Sequence, residues 1–118
     1  MTSDTILEQL DLFCELYEIN KDTFVLYGEA NFVLRDEVFN TDTVELAMDI
    51  KTIKQLVKKF DSLKNEMTYD DVPKYSARSI YFNGIVLVQG DVKEYETRHG
   101  LRLLPVRLEE TDMSASAW

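Results

Sequence analysis

Cysteine is nearly absent from this chain. Cys14 is the only one in 118 residues, which excludes an intramolecular disulfide and a cysteine-cluster zinc site. Histidine is equally scarce: His99 stands alone before Gly100 in a polar stretch, so there is no histidine-pair metal site, and its setting reads as an exposed turn. Long apolar runs are missing too. Nothing approaches the ~18 consecutive apolar residues of a membrane-spanning helix, and the first residues lack the basic, then apolar, then small pattern of a secretory signal. Basic residues are outnumbered, 13 against 22 acids, for a net charge of −9. Such a surface repels nucleic-acid phosphates and anionic membranes. The tyrosines Tyr69, Tyr75, Tyr81 and Tyr95 are not interleaved with bases, as a stacking platform for nucleic acid requires. Neither a nucleic acid nor a membrane is therefore expected as a partner. The expected location is cytoplasmic, and the expected partner is a protein whose basic surface complements this charge.

What the chain does have is apolar residue enough for one core. At 45% hydrophobic, 118 residues suit one compact domain, because two halves of this length could not each bury an interior. The expectation is a single domain over residues 1–109 and a small, polar, frayed tail over 110–118. Cys14 falls within an apolar helical pattern and reads as a buried thiol. The densest basic group, Lys51, Lys54, Lys58 and Lys59, has helical spacing and reads as a solvated face.

Periodicity predicts the elements. Ile6, Leu10, Phe13 and Tyr17 recur at 3, 4, 4 spacing, which predicts an amphipathic helix over 5–19, with Thr5 and Glu8 placed to form a capping box. Thr23 to Tyr27 is rich in β-branched and aromatic residues and reads as a buried strand that ends at Gly28. Ala30, Phe32, Val33 and Leu34 suit a short helix packed on that strand. Thr43 to Met48 reads as a second strand: Val44, Leu46 and Met48 alternate with Glu45 and Ala47, which puts Glu45 on the opposite face from the core set. Asp49 or Thr52 caps a further helix, whose stripe of Ile53, Leu56, Val57 and Phe60 runs to about Leu63. Residues 64–78, with Asp70, Asp71 and Pro73, read as a loop. Asn83-Gly84 between two apolar runs predicts a hairpin within Ile80 to Val88, in preference to one long strand bulged at Gly84. A helical turn is expected over 91–97, and a last strand over 101–108, placed near an edge by Pro105. The sum is an α/β or α+β class, a mixed sheet packed by helices.

Tyr27-Gly28-Glu29-Ala30-Asn31-Phe32-Val33-Leu34 followed by Thr41-Asp42-Thr43-Val44-Glu45-Leu46 resembles the opening of the nucleotidyltransferase superfamily, the DNA polymerase β-like minimal fold. It is most similar to the small bacterial members, including the antitoxin-type ones. The likeness spans about 22 residues. In that family a strand ends in a glycine pair, an apolar helix follows, and an Asp-x-Asp pair sits on the next strand. Gly28 and Glu29 stand at the glycine pair here, and Thr43 and Glu45 stand at the two acids. The resemblance implies a minimal nucleotidyltransferase-like fold with a nucleotide cleft lined by Gly28, Glu29, Thr43 and Glu45. For an active site it also implies Mg²⁺ and a nucleotide.

The chemistry makes the departures decisive. Nucleotidyl transfer uses two Mg²⁺ ions held by carboxylates, and acids at i and i+2 on a strand share one face and bridge them. A threonine hydroxyl at position 43 cannot replace an anionic bridging ligand. The longer Glu45 side chain shifts the metal by about one bond length, when catalytic placement tolerates ~0.5 Å. Glu29 puts a carboxylate where a triphosphate would lie. The later acid of the family has no counterpart in Ile85-Val86-Leu87-Val88, and Asp91 lies beyond that run. Read without the resemblance, Glu45 is a solvent-facing strand residue, Glu29 a first-turn acid that complements a helix dipole, and Gly28 a turn glycine.

Three functions follow. The first is a non-catalytic nucleotidyltransferase-like protein with a binding or regulatory role, with no cofactor. The second is a small acidic protein-interaction module unrelated to nucleotide chemistry. The third is an active nucleotidyltransferase with atypical metal ligands, Asp42 and Glu45 with Asp49 or Asp91. The third needs a bulge at Thr43, since residues three apart on a regular strand face opposite ways.

Overall fold

The computed structural model of the protein describes residues 1–59, 67–69, 78–82, 84–90 and 92–109. Its elements run α1 (Ser3–Tyr17), a 3-10 turn (Lys21–Thr23), β1 (Val25–Tyr27), α2 (Glu29–Leu34), β2 (Val44–Met48), α3 (Ile50–Lys59) and β3 (Met67–Tyr69). They continue with β4 (Arg78–Phe82), β5 (Ile85–Gln89), β6 (Glu96–Arg98), β7 (Leu101–Leu103) and α4 (Val106–Glu109).

The apolar stripe of α1 is buried as its spacing predicts, at Ile6, Leu10, Phe13 and Tyr17. The helix starts two residues earlier than expected, with Thr2 at the N-cap. Thr5 lies inside the first turn, where its hydroxyl meets that of Thr2, so the Thr5–Glu8 capping box does not form. The next strand is shorter than expected: the Thr23 N–H donates to the Asn20 carbonyl at 3.0 Å in the 3-10 turn, and pairing begins at Val25. In α3 the cap is Asp49, whose Oδ1 accepts the Thr52 N–H at 2.8 Å. Ile53 and Leu56 are buried under it, while the Val57 side chain and residues 60–63 lie outside the described part. Lys51, Lys54, Lys58 and Lys59 are exposed, the solvated face expected of them.

The sheet is mixed, with strand order β3-β4-β5-β2-β1-β7-β6. β1 and β2 pair antiparallel at its centre, and each is flanked by a parallel neighbour, β7 beside β1 and β5 beside β2. Further out, β4 with β5 and β6 with β7 form antiparallel hairpins. The first is the hairpin expected around Gly84: Phe82 faces Ile85, and Gly84 takes φ +83. Asn83 itself lies outside the described residues. The second turns at His99, which is exposed. A mixed sheet packed by helices is the expected class.

Three expectations fail at the sheet's margins. Part of the stretch read as a loop over 64–78 is strand, since Met67–Tyr69 pairs with β4. An edge strand takes its order from the partner it pairs with, and its own composition carries little signal. Asp70, Asp71 and Pro73 lie outside the described residues. Among the described residues 92–97 there is no helical turn of the kind expected over 91–97: Glu96–Arg98 is a strand, exposed at all three positions, so no apolar alternation announced it. The strand expected over 101–108 stops at Leu103. It does lie near an edge, beside the edge strand β6, with Pro105 beyond it and outside the ladder. There the Pro105 carbonyl accepts the Leu108 N–H at 2.9 Å and opens α4.

Both faces of the central strands are covered. On one face the stripe of α1 packs with Ala30, Val33 and Leu34 of α2, with Ile53 and Leu56 of α3, and with Leu26, Leu46 and Leu87 of the sheet. The opposite face carries a smaller cluster of Val25, Tyr27, Ala47, Val88 and Leu104, with Leu108 of α4 against it. Among the described residues no helix is long and apolar enough to cross a membrane. The tail expected over 110–118 lies outside the described residues.

Cys14 is buried, as its helical setting predicts. Burial pushes its thiol above the usual range, a rise opposed by the Lys21 charge and aided by Asp11. A raised folded-state pKa stabilises the fold below the unfolded value of ~8.5, and that contribution is lost as pH climbs through the folded value. Urea titrations of the wild type and Cys14→Ala should therefore differ in slope with pH only above ~8.5, the wild type losing stability faster. Equal slopes would place the thiol in water.

Candidate functional site

Gly28 closes β1 and opens α2. Its φ of 77° and ψ of −157° fall in a region essentially reserved for glycine, where other residues are strained by about 1–3 kcal/mol. The backbone here must turn at once from strand into helix, and only glycine does so without strain. β2 returns beside β1 with Tyr27 opposite Glu45. Alternation places Glu45 on the face it shares with Ala47, away from the larger core. Glu45 is not the solvent-facing residue its position suggests. It is half-buried, and its carboxylate lies over Gly28: a Cβ built on that glycine would stand 2.9 Å from Glu45 Oε1.

A second carboxylate reaches the same turn from the far end of the chain. The Gly28 N–H donates to Glu109 Oε2 at 2.7 Å. Asn31, one turn into α2 and fully buried, donates through Nδ2 to the same oxygen at 2.9 Å and to the Leu104 carbonyl at 2.8 Å. Its Oδ1 accepts from Arg35 Nε at 2.9 Å. Arg35 Nη2 goes on to the Leu104 carbonyl at 3.1 Å and to Glu96 Oε1 at 2.6 Å. The free N–H groups at the start of a helix favour an anion. In α2 that anion is the protein's own Glu109.

The other predicted residues are not gathered with these. Glu29 is exposed in the first turn of α2. Thr43 precedes the paired part of β2, and its backbone is engaged by the Thr41 side chain: the Thr41 hydroxyl donates to the Thr43 carbonyl at 3.2 Å. Asp42 is exposed. Both oxygens of Asp49 are spent on Thr52, at 2.8 Å to its N–H and 3.0 Å to its hydroxyl. Asp91 lies outside the described residues. Among the described residues no group of three or more His, Cys, Asp or Glu side chains could hold a metal ion. The β2 ladder with β5 begins at Val44 and keeps a continuous register to Met48, so Thr43, the position at which a bulge would have to turn Asp42 and Glu45 to one face, lies before it.

Sequence reasoning passed over Asn31, Arg35, Glu96 and Glu109, the residues that join the turn to the C-terminal chain. One signal was there. Asn31 interrupts an apolar helix pattern between Ala30 and Phe32, and Arg35 follows it at i+4, the spacing at which helix side chains meet. A polar residue on a buried helix face needs partners. Which partners it finds was not legible, since Leu104 and Glu109 lie 73 and 78 residues on.

Gly28→Ala is expected to lower stability by about 1–3 kcal/mol. Adding Glu45→Ala should restore little of it, because the strain is in the backbone and a glutamate carboxylate can rotate aside. Full recovery in chemical denaturation of the double variant would move the cause to the Glu45 contact. Glu109→Ala, which takes the acceptor from two donors, should lower stability by about 1–3 kcal/mol, with Glu109→Gln intermediate because it keeps a carbonyl. An unchanged denaturation midpoint in both would show that the network carries no weight.

Compared with protein-family models, with curated proteins and with solved structures, the chain has no match in any of the three.

Proposed function

We propose that this protein is a nucleotidyltransferase-like domain that does not transfer nucleotides and acts by binding. One observation carries the reading. The two donors at the glycine turn, the Gly28 N–H and the buried Asn31 amide, both hold Glu109 Oε2. In a nucleotidyltransferase-like site the backbone N–H of that turn would meet the triphosphate. Here a phosphate would have to displace an internal carboxylate, giving up charge-assisted hydrogen bonds of about 1.5–3 kcal/mol each. It would also lie beside the Glu45 carboxylate and near Glu29 at the same helix start.

The arrangement of β1, Gly28, α2 and β2 supports the likeness, because Glu45 faces Gly28 across adjacent strands. The magnesium chemistry of the family is another matter, and the residues present do not fit it. Of the two positions where the family carries its acids, Thr43 offers no charge and its backbone is tied to Thr41, while Glu45 packs on the glycine.

Incubation of the full chain with labelled ATP, GTP and CTP, Mg²⁺ and candidate protein and RNA acceptors should give no label transfer above a protein-free control. Calorimetry under the same conditions should give no metal-dependent nucleotide affinity. Transfer that depends on Glu45, lost in Glu45→Gln, would overturn the reading and restore the active enzyme.

A further inference from the structure

At the opposite end of α2 from Gly28 the surface has a different character. A cleft of about 360 Å³ opens between the start of α1 and the segment that leaves α2. Its apolar lining includes Val33, Val38 and Phe39, and its acidic lining is Asp4, Asp36 and Glu37. Phe39 is 81% exposed, the most exposed of the large hydrophobic side chains described. All three acids are exposed, and none forms an ion pair with a described residue.

The segment that presents these groups is held in shape. The Glu37 N–H donates to the Phe32 carbonyl at 2.9 Å and the Asp36 N–H to that of Val33 at 3.1 Å. Asp36 takes the left-handed conformation, φ 63°, which turns the chain sharply off the helix. Two residues beyond Phe39, Thr41 is fastened to Met1 by backbone hydrogen bonds in both directions. Phe39 is thus flanked by fixed backbone on both sides, and its exposure does not come from a loose loop.

We propose that this cleft docks a basic, amphipathic segment of a partner protein, an apolar side chain flanked by lysine or arginine. The two halves of that description answer the two halves of the surface. An exposed phenylalanine beside the exposed Val38 gains by burying apolar area, while Val33, itself buried, forms the floor beneath them. Three carboxylates around it, none ion-paired with a described residue, select a cation and penalise an acidic ligand. A second copy of this chain fits less well, since each copy carries a net charge of −9 and the two repel. The inference rests on the α1–α2 cleft alone and is independent of what the Gly28 turn does.

The test uses the full chain, isotopically labelled, and a synthetic peptide Lys-Lys-Phe-Lys-Leu-Arg. The expected result is chemical-shift change centred on Val33, Asp36 to Phe39 and Asp4, with binding weakened about ten-fold or more by Phe39→Ser and likewise by the pair Asp36→Asn with Glu37→Gln. Asparagine tolerates the left-handed backbone at position 36, so the pair removes charge without adding strain. A control peptide with serine in place of Phe and Leu should also bind about ten-fold or more weakly, and ~1 M salt, which shortens screening to about 3 Å, should weaken the parent peptide. The proposal is overturned if the parent peptide does not bind, if the shifts map elsewhere, or if the serine peptide binds as well as the parent. Concentration-dependent dimerisation lost in Phe39→Ser would assign the cleft to a second copy and overturn it too.

Discussion

A fully buried amide sets the terms for the rest of the molecule. Asn31 lies on the buried face of α2, and an amide there without partners would be destabilising by several kcal/mol. Its three hydrogen bonds bring together Leu104, Glu109 and Arg35. Two of those partners belong to the last described stretch of the chain. Satisfying one side chain therefore fixes where the C-terminal segment crosses the glycine turn, and Arg35 extends the same constraint to Glu96 at the sheet's margin.

Topology makes this crossing possible. β7 enters the sheet parallel to β1 and on the side away from β2, so the chain emerges from Leu103 at the same end as Gly28. The Leu104 N–H continues the pairing by donating to the Leu26 carbonyl at 2.9 Å. Pro105 cannot extend a ladder, and the four residues of α4 then swing Glu109 back over the turn. Leu108 closes the smaller apolar cluster on the way. Packing and polar closure are thus achieved by one short segment.

The two ends of α2 are consequently unlike. At its start an internal carboxylate takes the donors and a second carboxylate covers the glycine. At its far end the charges are left to solvent and an aromatic ring stands out from an ordered turn. Polar and apolar groups are thus left to solvent at the second end, while at the first the donors are met within the chain. The proposed roles follow that division: a closed glycine turn that carries ancestry, and an open acidic cleft that carries contact.

Local pattern determined a good deal of this protein. The stripe of α1, the glycine stop after β1, the alternation in β2, the Asp49 cap and the hairpin around Gly84 were all legible, because each depends on neighbours a few residues away. The juxtaposition of Gly28 and Glu45 was legible in part: spacing placed them on successive elements, though not the carboxylate against the glycine. The tertiary structure alone decided the strands at Met67–Tyr69 and Glu96–Arg98, the short final helix, and the hold of Glu109 on Gly28 and Asn31. Edge strands are ordered by the partners they pair with, and a hydrogen bond across 81 residues leaves no periodic trace in the sequence. Such contacts exist only once the core has brought distant segments together.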